Sequence, residues 1–72
     1  MHWEDVQAAW NDLADQMQSQ WPAVRAFDLA LIAGDRYKFT RYLADLHDLT
    51  MAEADEAIDF WLFRVRTRRD AA

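Results

Sequence analysis

Few side chains in this chain could take part in catalysis, and their spacing does not assemble a reactive group. The sequence holds two histidines and no cysteine, which excludes disulfides and thiolate metal sites. His47 stands between Asp45 and Asp48, so that a carboxylate could orient an imidazole base. Helical neighbours one or two positions apart point in different directions, however, and no nucleophile accompanies them. The only serine, Ser19, has no histidine near it in sequence. We therefore predict no catalytic residue and no enzyme activity.

The residue types that bind metals and flat cofactors are also poorly placed. Asp55 and Asp59 share a helix face, with Glu56 beside them, and carboxylates on a solvated face usually just face water. Platforms that stack nucleobases interleave aromatic rings with basic residues. Residues 1–24 hold three of the four tryptophans but no Lys or Arg. We predict no metal and no cofactor, and we expect the tryptophans to fill a core.

Two features near the C-terminus are the best candidates for contact with a partner. The four large apolar residues from Phe60 to Phe63 cannot all face one side of a helix. Either a broad core surrounds this helix, or an apolar patch is left for a partner. We expect at least one of Phe60 and Phe63 to lie in such a patch. The second feature is a cluster of arginines. Together the predicted partner surface comprises Phe60, Phe63, Arg64, Arg66, Arg68 and Arg69.

The formal charge of −5 is unevenly distributed along the chain. Residues 1–24 carry four acids and no base, whereas residues 64–72 carry four arginines against Asp70 alone. An acidic body repels nucleic acid broadly, but a basic end could contact it locally. The arginines could hold phosphate or an acidic partner, although a solvated helix end that complements its own dipole is the commoner arrangement. A nucleic-acid-associated module is therefore the alternative function.

The elements that position these residues are all predicted to be helices. One Gly and one Pro leave little room for hairpins, and no run alternates with a period of two. We predict a single all-α domain over residues 1–72, a compact bundle of four short helices in which residues 66–72 form a frayed tail. The predicted helices are residues 3–19, residues 28–33 with an alternative start at 23 or 26, residues 36–47, and a helix that follows Thr50.

Local signals set the ends of these helices. Pro22 disfavours helical geometry at the residue before it. Gly34 can take the left-handed conformation that ends the second helix, and Asp35 is placed to cap the third. Thr50 and Glu53 have the spacing of a capping box, which makes the start of the last helix the clearest boundary.

Apolar residues at helical spacing predict one core. A chain of 72 residues buries only about 60% of its unfolded surface, so the large aromatic side chains are expected to supply much of the burial. On the third helix, Phe39, Leu43 and Leu46 are expected on one side. The core is predicted to include Trp10, Leu13, Trp21, Leu29, Ile32, Leu43, Ile58 and Trp61.

The order and spacing of these features resemble the CsbD-like family of small bacterial general stress proteins. The similarity runs without gaps from about Trp3 to Trp61 and implies a compact four-helix arrangement and expression under general stress. It brings no catalytic residues. The matching residues are Trp10 and Trp21, Asp28-Leu29, Ile32-x-Gly34-x-Arg36, Leu43, and Leu49-Thr50-x-x-Glu53-Ala54-x-x-x-Ile58-Asp59.

The chain departs from the family pattern at several turns. Pro22 replaces a Gly that usually follows the tryptophan at the end of the first helix, and Arg41 stands where a second Gly is common. The pair His47-Asp48 replaces a Tyr-Gly pair before the last helix, and the first helix lacks the family's lysines. These differences make a shared fold a firmer expectation than a shared partner.

The expected location is the cytoplasm. No charged start leads into an apolar run, so we expect no signal peptide, and the mostly apolar run from Ala26 to Ala33 is too short to span a bilayer. The favoured function is that of a non-enzymatic stress-associated protein. It would act through an unknown protein partner or through weak self-association, with no membrane contact.

Overall fold

A computed structural model describes residues 2–65, and over that range the chain is all-α without strands. The predicted tail at residues 66–72, which includes Arg66, Arg68 and Arg69, lies outside the described residues. The five helices are α1 (Trp3–Ala8), α2 (Trp10–Gln20), α3 (Ala26–Ile32), α4 (Arg36–His47) and α5 (Met51–Arg64).

The predicted first helix is divided in two at Ala9, which gives five helices where four were expected. Ala9 has φ −110° and ψ 23°, and its amide hydrogen bonds to both Asp5 and Val6 carbonyl oxygens, at 3.1 and 3.2 Å. No Gly or Pro marks this position. The break lies close to Gln7, whose side chain binds the distant Gly34. A tertiary contact thus accompanies a break that the local sequence does not predict.

The predicted caps of the last two helices are confirmed. The Asp35 side chain accepts a hydrogen bond from the Lys38 amide at 3.0 Å and begins α4. Thr50 begins α5 with a complete capping box. Its hydroxyl accepts from the Glu53 amide at 3.1 Å, and the Glu53 carboxylate accepts from the Thr50 amide at 2.9 Å. Both caps satisfy amides that have no partner inside the helix.

Three residues with positive φ end α3 and α4. Gly34 has φ 85°, which confirms its predicted left-handed conformation, but Ala33 before it is also left-handed at φ 51°. Asp48 ends α4 in the same way, with φ 55°. Two of the three turn positions are thus filled by residues with a Cβ, which this conformation disfavours.

One core unites the five helices, and all eight residues predicted for it are buried. Phe39 is fully buried at its centre. Its ring meets those of Trp10 and Trp21 edge-on, at centroid distances of 5.5 and 5.6 Å, and stacks with Trp3 at 6.0 Å. Leu46, expected on the same side of α4 as Phe39 and Leu43, is 38% exposed and lies at the edge of the buried side of that helix.

Two tryptophans also fasten the N-terminal helices to the end of α3. The Trp10 indole donates to the Leu29 carbonyl at 2.7 Å. The Trp3 indole and the Gln7 side-chain amide both donate to the Gly34 carbonyl, at 2.9 and 3.0 Å. The Leu29 carbonyl also accepts from the Ala33 amide at 3.0 Å, so the Trp10 indole adds a second bond at that oxygen. The Gly34 carbonyl lies just after α3, and the two side-chain donors hold α1 against this turn.

Candidate partner surface

The residues considered for catalysis are not brought together. His47 is exposed at the end of α4, and within residues 2–65 no hydrogen bond joins it to Asp45 or Asp48. Asp45 instead lies 4.0 Å from Arg41 in an exposed pair. Ser19 is exposed on α2, away from these groups in sequence.

The sequence suggested that the carboxylates of Asp55 and Asp59 simply face water. In the structure both contact a basic side chain instead. The Arg36 guanidinium at the start of α4 contacts both, with Nη2 at 2.6 Å from Asp55 and 2.9 Å from Asp59. It also lies over the Trp3 ring, 5.1 Å from the centroid. Partial burial by itself lowers the pKa of Arg36, but the hydrogen bonds with Asp59 and Asp55 outweigh it and the pKa rises. These carboxylates therefore tie α5 to α4.

A metal site is not formed by the part of the chain that the structure describes. Among residues 2–65, no group of three or more His, Cys, Asp or Glu side chains could hold an ion. Three of the four acidic residues of α5 serve other contacts: Asp55 and Asp59 bind Arg36, and Glu53 belongs to the helix cap.

The most exposed aromatic side chains of α5 are those singled out in the sequence. Trp61 and Leu62 are buried, whereas Phe60 is 62% exposed and Phe63 is 90% exposed. The Arg64 guanidinium lies 5.7 Å from the centroid of the Phe60 ring. The two rings are three positions apart, so they lie on the same side of the helix. We call the exposed side of α5 that carries Glu53, Glu56, Phe60, Phe63 and Arg64 the α5 outer face.

Opposite charges flank the two rings on the α5 outer face. Glu56 precedes Phe60 by four residues and Arg64 follows it by four, and both side chains are exposed. Neither forms an ion pair with another residue in the range 2–65. The Glu53 carboxylate, in contrast, accepts from the Thr50 amide in the helix cap, and hydrogen bonding with Thr50 lowers the pKa of this carboxyl. The face thus has an acidic end, an aromatic middle and a basic end.

The apolar surface of α5 continues toward α1. Phe63 and the buried Leu62 border an open groove of about 400 Å³ that reaches the half-buried Trp3. His2, Arg36 and Asp59 complete its lining. The groove is polar as well as apolar, since the Arg36 ion pair forms one of its walls.

A second exposed apolar region, on α3 and α4, was not predicted. Phe27, Leu31 and Tyr37 are each more than half exposed. Leu31 and Tyr37 border an open groove of about 460 Å³ between the two helices. Phe27 and Leu31 are four positions apart, so they share one side of α3. The inner side of this seven-residue helix already holds Leu29 and Ile32. This spacing could have predicted the exposed surface from the sequence.

Tyr42 closes part of this second region. Its hydroxyl donates to the Asp28 carboxylate at 2.7 Å and accepts from the Arg25 amide at 3.3 Å. Burial and the hydrogen bond to Asp28 raise the pKa of Tyr42. The phenol joins the start of α3 to α4, which is a structural contact.

Comparison with known proteins assigns no family to this chain. No protein-family model matches the chain, and neither the curated proteins nor the solved structures give a match. Within residues 2–65, no helix combines the length and apolar character needed to cross a membrane.

Proposed function

We propose that this chain is a small non-enzymatic protein that acts by contacting another protein, or a second copy of itself, through the α5 outer face. The observation that carries the proposal is the exposure of Phe60 and Phe63, 62% and 90%, on one side of a helix whose other side is buried. Exposed apolar patches mark surfaces that bind partners, and aromatic side chains with arginine are enriched where proteins meet.

A role in the general stress response of a bacterial cytoplasm is part of this proposal. It rests on the resemblance to the CsbD-like family, and the backbone supports that resemblance at two turns. Gly34 matches a family glycine and is left-handed, and Asp48 is left-handed where the family carries the Gly of its Tyr-Gly pair. Asp48 keeps a conformation that suits the glycine it replaces.

The family's four-helix arrangement is accommodated when α1 and α2 are counted as one bent helix. The Ala9 amide donates to the Asp5 carbonyl at 3.1 Å, and the Ala9 carbonyl accepts from the Leu13 amide at 2.9 Å, so Ala9 takes part in the hydrogen bonding of both α1 and α2. The remaining helices, α3 to α5, then correspond to the other three of the proposed bundle.

Paired aromatic variants test the role of the α5 outer face. Wild type and Phe60→Ser/Phe63→Ser are compared by sedimentation over a concentration series and as baits in lysates from stressed cells. The matched control is Phe27→Ser/Leu31→Ser, which removes exposed apolar side chains from α3. We expect association or capture to be lost in the α5 variant and kept in the control. Equal behaviour of all three proteins would contradict the proposal.

A nucleic-acid-associated function is the second candidate, favoured by the four arginines within residues 64–69. Binding through such residues weakens steeply as salt rises, because counterions are released. Opposing it, Glu4, Asp5, Asp12 and Asp15 are all exposed on α1 and α2. DNA and RNA titrations at several salt concentrations, with all four arginines changed to glutamine as a control, decide the matter. A salt-dependent affinity that the arginine variant loses would favour this function over the first.

A further inference from the structure

We propose that the partner of the α5 outer face is a second copy of this chain, bound with the two α5 helices antiparallel across a twofold axis beside Phe60. This inference rests on the proposed function, because both use the same surface. It adds the identity of the partner and the direction in which its helix runs.

The order of charges along α5 supplies the argument. Glu56 and Arg64 stand four residues before and four residues after Phe60, so all three share one side of the helix. At about 1.5 Å of rise per residue, each charge lies about 6 Å along the axis from Phe60. In an antiparallel pair centred on Phe60, Glu56 of each copy lies level with Arg64 of the other. The surface is therefore self-complementary, as a twofold interface requires.

The charges that this arrangement uses have no other ionic partner in the described structure. Glu56 and Arg64 form no ion pair within residues 2–65, whereas Asp55 and Asp59 are held by Arg36. A parallel pair would set Glu56 against Glu56 and Arg64 against Arg64, and like charges facing each other are destabilising. The charge order thus selects the antiparallel direction.

The rings supply apolar contact and the charges supply orientation. Phe60 sits at the proposed twofold axis, and the Phe63 rings of the two copies extend the apolar contact on either side of it. One helix face is smaller than a standard stable interface, which buries about 1,600 Å² in total. We therefore expect a weak, rapidly exchanging dimer that is detected at high protein concentration and weakens with added salt.

Charge reversal tests the arrangement. Glu56→Arg and Arg64→Glu are each examined by sedimentation equilibrium against wild type, with circular dichroism to verify folding. Each single variant sets like charges together twice, so the dissociation constant should rise about tenfold or more. An equimolar mixture of the two variants restores both attractive pairs and should associate at least as well as wild type. Asp12→Arg and Lys38→Glu make the same charge changes at other exposed positions and should leave association unchanged.

The outcomes separate this inference from the proposed function. A wild type that stays monomeric at all concentrations, single variants that associate like wild type, or a mixture that does not recover association would each overturn the antiparallel dimer. If wild type is monomeric but captures another protein in a manner that depends on Phe60 and Phe63, only the present inference fails. If association and capture are both absent, the proposed function fails with it.

Discussion

Single residues decide where α3 ends, and the turn there has two left-handed positions in succession. Gly34 suits this conformation because it has no Cβ, and a Cβ placed on it would meet the Gln7 Cγ at 3.3 Å. Ala33 adopts it at a cost, because a Cβ crowds the backbone when φ is positive. Its exposed side chain contributes no burial that would offset this cost.

Replacing Gly34 should destabilise the protein. Gly34→Ala forces a Cβ into a backbone with φ 85° and against Gln7, so the free energy of unfolding should fall by about 1 kcal/mol or more. Chemical denaturation measures the change. An unchanged or raised midpoint would show that neither the conformation nor the contact with Gln7 matters for stability.

The neighbouring position should respond in the opposite direction. Ala33→Gly relieves the left-handed strain at φ 51° and should raise the free energy of unfolding by about 0.5–1 kcal/mol. Ala30→Gly is the matched control, since Ala30 is exposed within α3, where glycine costs about 0.5–1 kcal/mol. Denaturation curves that shift in the same direction for both variants would exclude strain at Ala33.

Individual helices differ in how clearly their sequences define them. α5 begins with a cap whose two partners are three residues apart, so its start was predictable from local sequence alone. The break at Ala9 was not, because no Gly or Pro marks it and the nearby Gln7 bonds to a residue 27 positions away. Crowding on one helix predicted that at least one of Phe60 and Phe63 lies outside the core, and both are exposed. The exposure of Phe27 and Leu31 could have been reached by the same reasoning on α3.

The cap of α5 should make the free energy of unfolding depend on pH in the acidic range. Hydrogen bonds with Thr50 lower the pKa of Glu53 from its ordinary value of 4.5. A carboxyl whose pKa is lower in the folded state stabilises the fold above its unfolded pKa, and this contribution disappears as pH falls through the folded pKa. The free energy of unfolding should therefore decline below about pH 4.5, and Glu53→Gln should reduce that decline.

The comparison needs a second carboxyl variant. Glu56→Gln removes an acid from the same helix without touching the cap, so the acid-dependent decline due to Glu53 should persist in it. Denaturant titrations at a series of pH values measure both. Identical pH profiles for Glu53→Gln and wild type would contradict a stabilising cap.

The whole molecule depends on one aromatic cluster. A chain of this size has a free energy of unfolding on the order of 4–11 kcal/mol, and Phe39 alone contacts three of the four tryptophans. The composition indicated that aromatic residues would fill the core. Which ring lies at the centre depends on how α1, α2 and α4 pack together, and that information is spread over distant parts of the chain.

Truncating the central ring should therefore remove much of the stability. Phe39→Ala is expected to lower the free energy of unfolding by about 3–5 kcal/mol, because a buried ring is replaced by a cavity. Denaturation followed by tryptophan fluorescence measures the loss, and near-ultraviolet circular dichroism reports the order of the cluster. Tyr37→Ala, at an exposed position on the same helix, should have a small effect. Similar losses for the two variants would argue against a central role for Phe39.

The break at Ala9 separates α1 from α2, and we expect α1 to open by itself. α1 has one buried residue, Val6, and its other anchors are the Trp3 ring and the bonds of Trp3 and Gln7 to Gly34. Segments with few buried contacts open locally at a lower free energy than the global transition. Amide hydrogens in α1 should exchange with solvent faster than those in the centres of α2 and α5, and Gln7→Ala should accelerate exchange in α1 alone. Uniform protection across the three helices would mean that α1 opens only when the entire protein unfolds.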